Sequence, residues 1–321
     1  MQGLALPKTC WMPPPLLSIG MPVYNGAETI EESLKSLLAQ EVADFELIIC
    51  DDASTDRTLE ICRRYAAQDR RIEIVANRHN VGSARNFNAA FSRARGRYFM
   101  WAAQDDRWHP RYARACIAEL ERHPRAVACA SQIAFLGPYD VVIAVDANID
   151  TEGLDVVGRL RAVFERVGWY ALYGVMRPEA VRATGGYAAA FGGDVIFMLE
   201  MLLLGEFITV KERLFGYRYP AAEKSPDHYT VVVDPTRRTS PRPYTSLARE
   251  LFARVRRALG ATAAWSAVRE EIIRILALQN RDWRRRMLAE HGYAGHAEPE
   301  PEIALRLVRE FLGDSEGDDR R

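Results

Sequence analysis

Apolar and polar positions fall into two repeating patterns along the first half of the chain. Leu16-Leu-Ser-Ile-Gly-Met-Pro-Val-Tyr24 is an apolar run of strand length that Pro22 closes, with the turn residues Asn25-Gly26 behind it. From Glu28 to Gln40 the apolar residues Ile30, Leu34, Leu37 and Leu38 recur at helical spacing, with acids in the first turn where the helix dipole favours them. Phe45 to Cys50 repeats the strand pattern and stops at Asp51-Asp52, after which Ala-Ser-Thr-Asp offers capping chemistry for a helix with Leu59, Ile61, Cys62 and Tyr65. Arg71 to Val75 predicts a third strand, Asn77 to Gly82 a polar loop, and Phe87, Ala90, Phe91 and Ala94 one side of a third helix. Tyr98 to Ala103 is a fourth strand, ending at Asp105-Asp106. Four strands alternating with three helices predict right-handed βαβ units. The class is α/β, with a Rossmann-like, mostly parallel sheet flanked by helices.

A helix from Pro110 to Arg122 and a strand from Ala126 to Phe135 continue this order. Beyond Gly137 the pattern becomes irregular: short apolar pieces, turns at Gly185-Gly186 and Gly192-Gly193, and an apolar helix from Val195 to Leu204 that Asp194 introduces. The proline-punctuated stretch from Thr236 to Pro243 reads as a linker. Three stripes follow it: Leu247, Leu251, Val255 and Leu259; then Trp265, Val268, Ile272, Ile275, Leu276 and Trp283; then Ile303, Leu307 and Phe311. They predict a C-terminal helical extension of three helices. The expected division is an N-terminal extension (1–15), a large domain (16–235) with a nucleotide half (16–136) and an acceptor half (137–235), the helical region (236–312) and an acidic tail (313–321).

Composition narrows the function by exclusion. Lys+Arg and Asp+Glu balance at 43 each, so overall charge gives no case for nucleic acid as a partner. The balance is local: residues 236–290 hold 13 Arg against 5 acids, and residues 294–321 hold 4 Arg against 8 acids. Those Arg residues suit a solvated helix face, a homodimer interface or a peripheral membrane contact. Packing against the large domain or a second subunit is expected, because Trp265 and Trp283 lie in the stripes. Five scattered cysteines (Cys10, Cys50, Cys62, Cys116, Cys129) without a C-x-x-C pair argue for reduced thiols serving as core filler. No window approaches a transmembrane helix and the first fifteen residues lack an apolar leader core, which predicts a cytoplasmic protein, peripheral at the inner membrane face if the basic helices bind there.

The chemistry lies where strands end. In an open α/β sheet the carboxyl ends of the strands are where ligands bind, and paired carboxylates on that rim suit Mg²⁺ or Mn²⁺ bridging the phosphates of a nucleotide. An Asp-Asp pair by itself is equally a solvated turn. No G-x-G-x-x-G follows the first strand and no G-x-x-x-x-G-K-[ST] occurs, so dinucleotide and P-loop readings fail at their defining residues; H-E-x-x-H and G-x-S-x-G are also missing. A metal-dependent nucleotidyltransferase is an alternative, although the loop after Val23 has one Gly and no Lys. A catalytically inactive protein that binds sugar nucleotides is another.

What is present is an ordered series: Met21-Pro-Val-Tyr-Asn25, Asp51-Asp-Ala-Ser-Thr-Asp56, Asn80-Val-Gly-Ser-Ala-Arg-Asn86, Gln104-Asp-Asp106, Gly185-Gly-Tyr187 and Asp194. In this order and spacing, over roughly residues 16 to 220, it resembles the family 2 inverting glycosyltransferases of the GT-A fold. The resemblance implies a non-processive, hexosyltransferase-like transfer from a nucleoside diphosphate sugar, with UDP or dTDP donors and a sugar, lipid-linked or natural-product acceptor. It implies that Pro22, Tyr24 and Glu28 frame the base, that Asp51 bonds its edge, and that Asn80, Gly82 and Arg85 run along the nucleoside and diphosphate. Asp105 is then the ribose-contacting acid, Asp106 the ligand of Mn²⁺ or Mg²⁺, and Asp194 the general base. Asp52 serves equally as a capping acid, Arg85 as a surface residue, and Asp194 as a helix cap whose N–H bonds would depress its pKa. Many relatives carry an Asp where this chain has Ala103, and a Glu where it has Gly193. Gln279-Asn-Arg-Asp-Trp283 falls short of the Q-x-x-R-W of processive synthases, which implies single additions. Trp169, Tyr170 and Tyr187 are candidates for stacking on an acceptor sugar.

Overall fold

The computed structural model describes residues 13–165, 170–218, 232–236, 238, 240–260 and 262–314. Cys10, Trp169 and the end of the acidic tail, for which the sequence made proposals, lie outside them.

The βαβ order is present as expected. β1 (Leu17–Val23), β2 (Phe45–Asp51), β3 (Ile72–Ala76) and β4 (Tyr98–Trp101) run parallel, with β1 between β2 and β4 and β3 outside β2. β2 is buried at all seven positions, which explains its unbroken apolar run: helices cover both faces of a parallel sheet. α1 (Ile30–Leu38), α2 (Thr58–Ala66) and α3 (Ser83–Ser92) make the crossovers, and α1 buries Ile30, Leu34 and Leu37.

The sheet continues through antiparallel neighbours. β5 (Arg107–Trp108), α4 (Tyr112–Arg122), β6 (Ala126–Leu136) and β7 (Val142–Asp146) come next in the chain. α5 (Val156–Glu165), β8 (Val175–Met176), α6 (Pro178–Thr184), α7 (Gly193–Leu204) and β9 (Glu206–Arg218) follow. Spatial order among the described strands is β3-β2-β1-β4-β8-β6-β9-β5, with β7 paired to β6. β9 lies parallel to β6, and thirteen residues of regular strand replace the irregular stretch expected there. Lys211, Glu212 and Arg213 interrupt its apolar pattern, and the register with β6 shifts at that point, between Ser131 and Gln132.

Four C-terminal helices replace the three expected: α8 (Pro243–Leu259), α9 (Ala263–Arg274), α10 (Arg281–Glu290) and α11 (Pro301–Leu312). The second stripe is divided by a π-helical turn at Ile275–Gln279, after which the Asn280 side chain caps α10 by accepting the Trp283 N–H at 3.0 Å. Asn280 also donates to the Phe164 carbonyl of α5 at 2.7 Å, and Glu290 accepts the Tyr244 and Thr245 N–H groups at the head of α8 at 2.7 and 2.9 Å. α7 is apolar around its whole circumference, and Val195 to Leu199 are buried from every side. Leu247, Leu251 and Val255 of α8, Trp265 and Ile272 of α9 and Phe311 of α11 join α7 and α5 in one core. The stripes therefore face inward, and any contact with a second copy or a membrane would use the Arg-bearing faces. Asp314 pairs with Arg269 and Arg309. Cys50, Cys62, Cys116 and Cys129 are buried free thiols; burial pushes Cys50 up to about 11 and Cys62 to about 12, so they are inert filler. No described helix is long and apolar enough to cross a membrane.

Candidate active site

The carboxyl ends of β2, β1 and β4 lie side by side: Val23 is in register with Asp51 on one side, and Gly20 with Trp101 on the other. The loop after β1 is therefore flanked by Asp51 and by the segment Gln104–Asp106. It is held from both sides. The Gln104 carboxamide accepts the Tyr24 N–H at 2.9 Å and donates to the Tyr24 carbonyl at 3.0 Å. A Cβ on Gly26 would lie 2.4 Å from the Gln104 carboxamide carbon, so glycine is what lets this clamp close. On the other side Asn25 accepts the Thr55 N–H at 2.8 Å, Asp56 accepts the Ala27 N–H at 3.0 Å and Thr58 accepts the Gly26 N–H at 2.8 Å. The Tyr24 side chain stays exposed, Pro22 is half-buried in β1, and Glu28 is exposed just before α1.

Asp51 and Asp52 are both buried. Asp52 accepts from the Asn77 side chain at 2.9 Å and from the Val81 and Gly82 N–H groups at 2.9 and 3.0 Å. It thus anchors the 77–82 loop just ahead of α3 without capping a helix, and the N–H of Thr58, the first residue of α2, bonds to Asp56 instead. Asp51 accepts the Ser54 N–H at 3.1 Å with Oδ2, whereas its buried Oδ1 has no hydrogen-bond partner among the described residues. Asn80 accepts the Gly82 N–H at 3.0 Å. Gly82 has φ +90°, and a Cβ there would lie 2.5 Å from the Val233 carbonyl oxygen. Segment 232–236 thus closes over this loop, and Arg85, exposed as the bland reading had it, lies 3.9 Å from Asp234.

β4 ends at Trp101, and a short loop carries Asp105 and Asp106 beyond it. Asp106 is buried; its Oδ1 accepts the Arg218 N–H at 2.9 Å and its Oδ2 has no hydrogen-bond partner among the described residues. Burial, then the charge of neighbouring Asp105, hold its carboxyl well above the usual range, against the N–H and charge of Arg218. The Arg218 guanidinium donates to the Asp105 carbonyl at 3.1 Å and reaches Glu32 at 3.2 Å and Asp140 at 3.1 Å. Arg107 pairs with the same Glu32 and with Asp140 at 2.6 Å. Asp140 reaches in because Tyr139 and Asp140, at the turn between β6 and β7, both adopt left-handed backbone, with φ of 56° and 58°.

Asp194 lies partly buried at the head of α7. The helix begins at Gly193 with Gly192 as N-cap, so Asp194 lies within the first turn and is not itself the cap. Its Oδ1 accepts the Val195 N–H at 2.9 Å. The low pKa expected of a capping acid does not result: burial outweighs that bond and the carboxyl is raised. Tyr187 packs beside it, its phenol pushed well up by burial and then by the Asp194 charge. Tyr173 joins the two sides. Burial raises its phenol first, followed by the charges of Asp106, Tyr217, Asp105 and Tyr187. Tyr170 packs edge-on to Tyr217 and Phe135, at 4.6 and 5.2 Å between ring centroids, so it is engaged in packing.

Comparison with known proteins bears on the sequence segment and the fold that carry these acids. Residues 18–163 match the family model described as glycosyl transferase family 2. They belong to that family. The chain is 41% identical over 110 residues to EpsE of Bacillus subtilis, which carries a provisional glycosyltransferase name; the match covers 34% of this chain and 40% of EpsE. It is 39% identical over 93 residues to the Escherichia coli glucosyltransferase WfgD, covering 29% and 36%. The chain thus spans about two-fifths of the length of these curated relatives. S. aureus TarS in complex with UDP-GlcNAc has the same fold: TM-score 0.63, 16% identity, 93% of this chain and 81% of that one. The mannosyltransferase PcManGT of Pyrobaculum calidifontis, in complex with GDP-Man and Mn²⁺, superposes with TM-score 0.55 at 17% identity over 96% and 85%. The fold of the chain is the GT-A arrangement.

The donor set fits a hard divalent cation. Among the described residues no three His, Cys, Asp or Glu side chains form a cage, but Mg²⁺ and Mn²⁺ sites of this kind take one or two carboxylates and complete their shell with phosphate and water. The unpartnered Asp106 Oδ2, with Asp105 beside it, is such a donor. Sequence reasoning missed Gln104 as a clamp, Arg218 with its partners Glu32 and Asp140, and Tyr173. Only Gln104 carried a signal, its place directly before the acid pair.

Proposed function

We propose that the protein transfers a sugar from a nucleoside diphosphate sugar to an acceptor hydroxyl, with inversion at the anomeric carbon and one addition per encounter. The observation that carries this reading is the pair of buried carboxylate oxygens without hydrogen-bond partners among the described residues: Asp51 Oδ1 at the end of β2, and Asp106 Oδ2 on the loop beyond β4, the two strands that flank β1. Buried acceptors are ordinarily satisfied, and two left open on one rim await donors from a ligand. Asp51 Oδ1 accepts an N–H from the edge of the base, which Tyr24 and Pro22 frame with Glu28 at the margin. Asp105 takes the ribose hydroxyls, and Asn80, Gly82 and Arg85 run along the nucleoside and diphosphate. Asp106 would hold Mn²⁺ or Mg²⁺, which when bound would supply positive charge against the charge developing on the diphosphate.

Inversion requires a base on the face of the sugar opposite the leaving diphosphate. Asp194 takes the proton from the acceptor hydroxyl as that oxygen bonds to the anomeric carbon. A raised carboxyl pKa suits it to this work better than an ordinary Asp. By its name WfgD takes UDP-Glc to a diphosphoundecaprenol-linked sugar, which supports UDP or dTDP donors and a sugar or lipid-linked acceptor here. The four described thiols, buried and unpaired, support a cytoplasmic setting.

The test is a thermal-shift screen of UDP-, dTDP- and GDP-sugars with and without Mn²⁺, followed by transfer assays of Asp194→Asn. The expected result is Mn²⁺-dependent stabilisation by one class of donor, unchanged donor binding in Asp194→Asn, and turnover reduced by about 10² to 10⁴. No stabilisation by any nucleotide sugar would refute the donor site. Near-full transfer by Asp194→Asn would move the base to Asp155, Glu179 or Glu200.

A further inference from the structure

We infer that Asn88 is a positioning residue for Asp194, acting through Tyr187 and tying the acceptor side of the site to the helix that carries the donor loop. This rests on the reading of Asp194 as the base. Asn88 lies on α3, whose head bears Gly82 and Arg85. Its side chain donates to the Tyr187 carbonyl at 2.9 Å and accepts the Tyr187 N–H at 2.8 Å. One carboxamide therefore satisfies both main-chain groups of a residue 99 positions away, a geometry that fixes the height and orientation of the turn.

The surroundings leave this turn little freedom. Gly186 has φ +91°, and a Cβ there would lie 2.4 Å from Asn88 Oδ1, so the close approach needs glycine. The Tyr187 ring packs on Phe87, the neighbour of Asn88 on α3, at 4.8 Å between centroids. Phe87 is fixed in turn: its carbonyl accepts the Trp101 indole N–H at 3.1 Å, and Trp101 is a fully buried residue of β4. On its far side Tyr187 meets the residue before the base, since a Cβ on Gly193 would lie 2.8 Å from Tyr187 Cε1 and 2.2 Å from the Ala188 carbonyl oxygen. The backbone that aims Asp194 is thus pressed against a tyrosine whose place Asn88 sets. Removing the Asn88 contacts lets the 186–188 turn draw back from α7, and Asp194 loses the wall that orients it. A displacement on the order of 1 Å in a reacting group costs up to about 10²-fold in rate.

The test is a double-variant cycle on the full chain, using the donor that gives the largest thermal shift and reading nucleoside diphosphate release, with UDP titration as the binding readout. Asn88→Ala is expected to lower kcat by about 10- to 100-fold while donor KM and UDP affinity stay within about threefold. Asn88→Asp keeps the acceptor oxygen for the Tyr187 N–H and should recover part of the loss; it also serves if Asn88→Ala does not fold. In the Asp194→Asn background the Asn88 substitution should have no further effect, because a residue acting only through the base has nothing left to position. Full activity of Asp194→Asn by itself would refute the base assignment. A low-activity Asp194→Asn together with an Asn88→Asp or Asn88→Ala enzyme of unchanged kcat, or with losses that multiply in the double variant, would overturn the positioning role.

Discussion

Asp51 and Asp52 are adjacent in the chain and opposite in use: Asp52 has both oxygens engaged by Asn77, Val81 and Gly82, whereas Asp51 leaves a buried Oδ1 open at the rim. One holds the loop that the other serves as a neighbour. Two residues with the same side chain and the same burial are therefore expected to fail in different ways.

Asp52→Ala removes three hydrogen bonds to a charged acceptor and takes from the Val81 N–H its acceptor, while the Gly82 N–H keeps Asn80, so it should destabilise the protein by about 3 kcal/mol. Asp51→Ala removes one such bond and one unsatisfied oxygen, and its stability should stay within about 1 kcal/mol of the parent. UDP affinity should fall in both, in Asp51→Ala without loss of fold. Urea unfolding read beside UDP titration separates the two; equal destabilisation would show that Oδ1 has a partner in solution.

Asp106 lets stability be set against function in the metal-free protein. Its folded-state pKa is raised, so the native state favours the protonated form, and stability is lost as pH rises from the ordinary Asp value of 3.8 through the raised one. Asp106→Asn has no such loss. Its melting temperature should equal that of the parent near pH 4 and exceed it by about 2–4 °C at neutral pH. The same variant should lose the Mn²⁺ enhancement of nucleotide binding. A melting temperature at or below that of the parent at neutral pH would mean that the carboxylate is satisfied when charged.

The base should be visible in the pH dependence of turnover. Asp194 accepts a proton only when ionised, and burial raises its pKa, so kcat should fall on the acid side through a value above 3.8, and Asp194→Asn should lack that limb. An acid limb retained in Asp194→Asn would belong to another group.

Deleting residues 237–321 should yield an insoluble chain. α7 is apolar all round and is covered by Leu247, Leu251 and Val255, so removal of α8 to α11 would open the core rather than trim a peripheral layer. A soluble, active truncation would show that α7 is covered in another way.

The nucleotide side was legible because its signals are local. β1, β2 and β4 show the mostly apolar runs that burial on both faces demands; Asp51 ends β2, and Asp105 and Asp106 come a few residues after β4. The acceptor side was not. Lys211-Glu-Arg213 breaks the apolar pattern, yet it is a register shift within β9, and Arg218, whose main-chain N–H bonds Asp106 Oδ1, has no neighbour in sequence that announces it. The two carboxamides were opaque for the same reason: Gln104 and Asn88 act on backbone 80 and 99 positions away. The break between α9 and α10 was present in the letters, as an Asn that caps three residues ahead, but the apolar stripe ran across it.

The bond from Arg218 to Asp106 also dictates a timetable. The two residues are 112 positions apart, and at a synthesis rate on the order of 10 residues per second the acid leaves the ribosome about ten seconds before its partner. Through that interval β1 to β4 can pair, but the carboxylate pocket lacks the amide that completes it, and β6 waits for β9, with which it later shares its whole length. The nascent chain therefore passes through a stage in which the rim of acids can form while a sheet edge stands open to pairing with other strands.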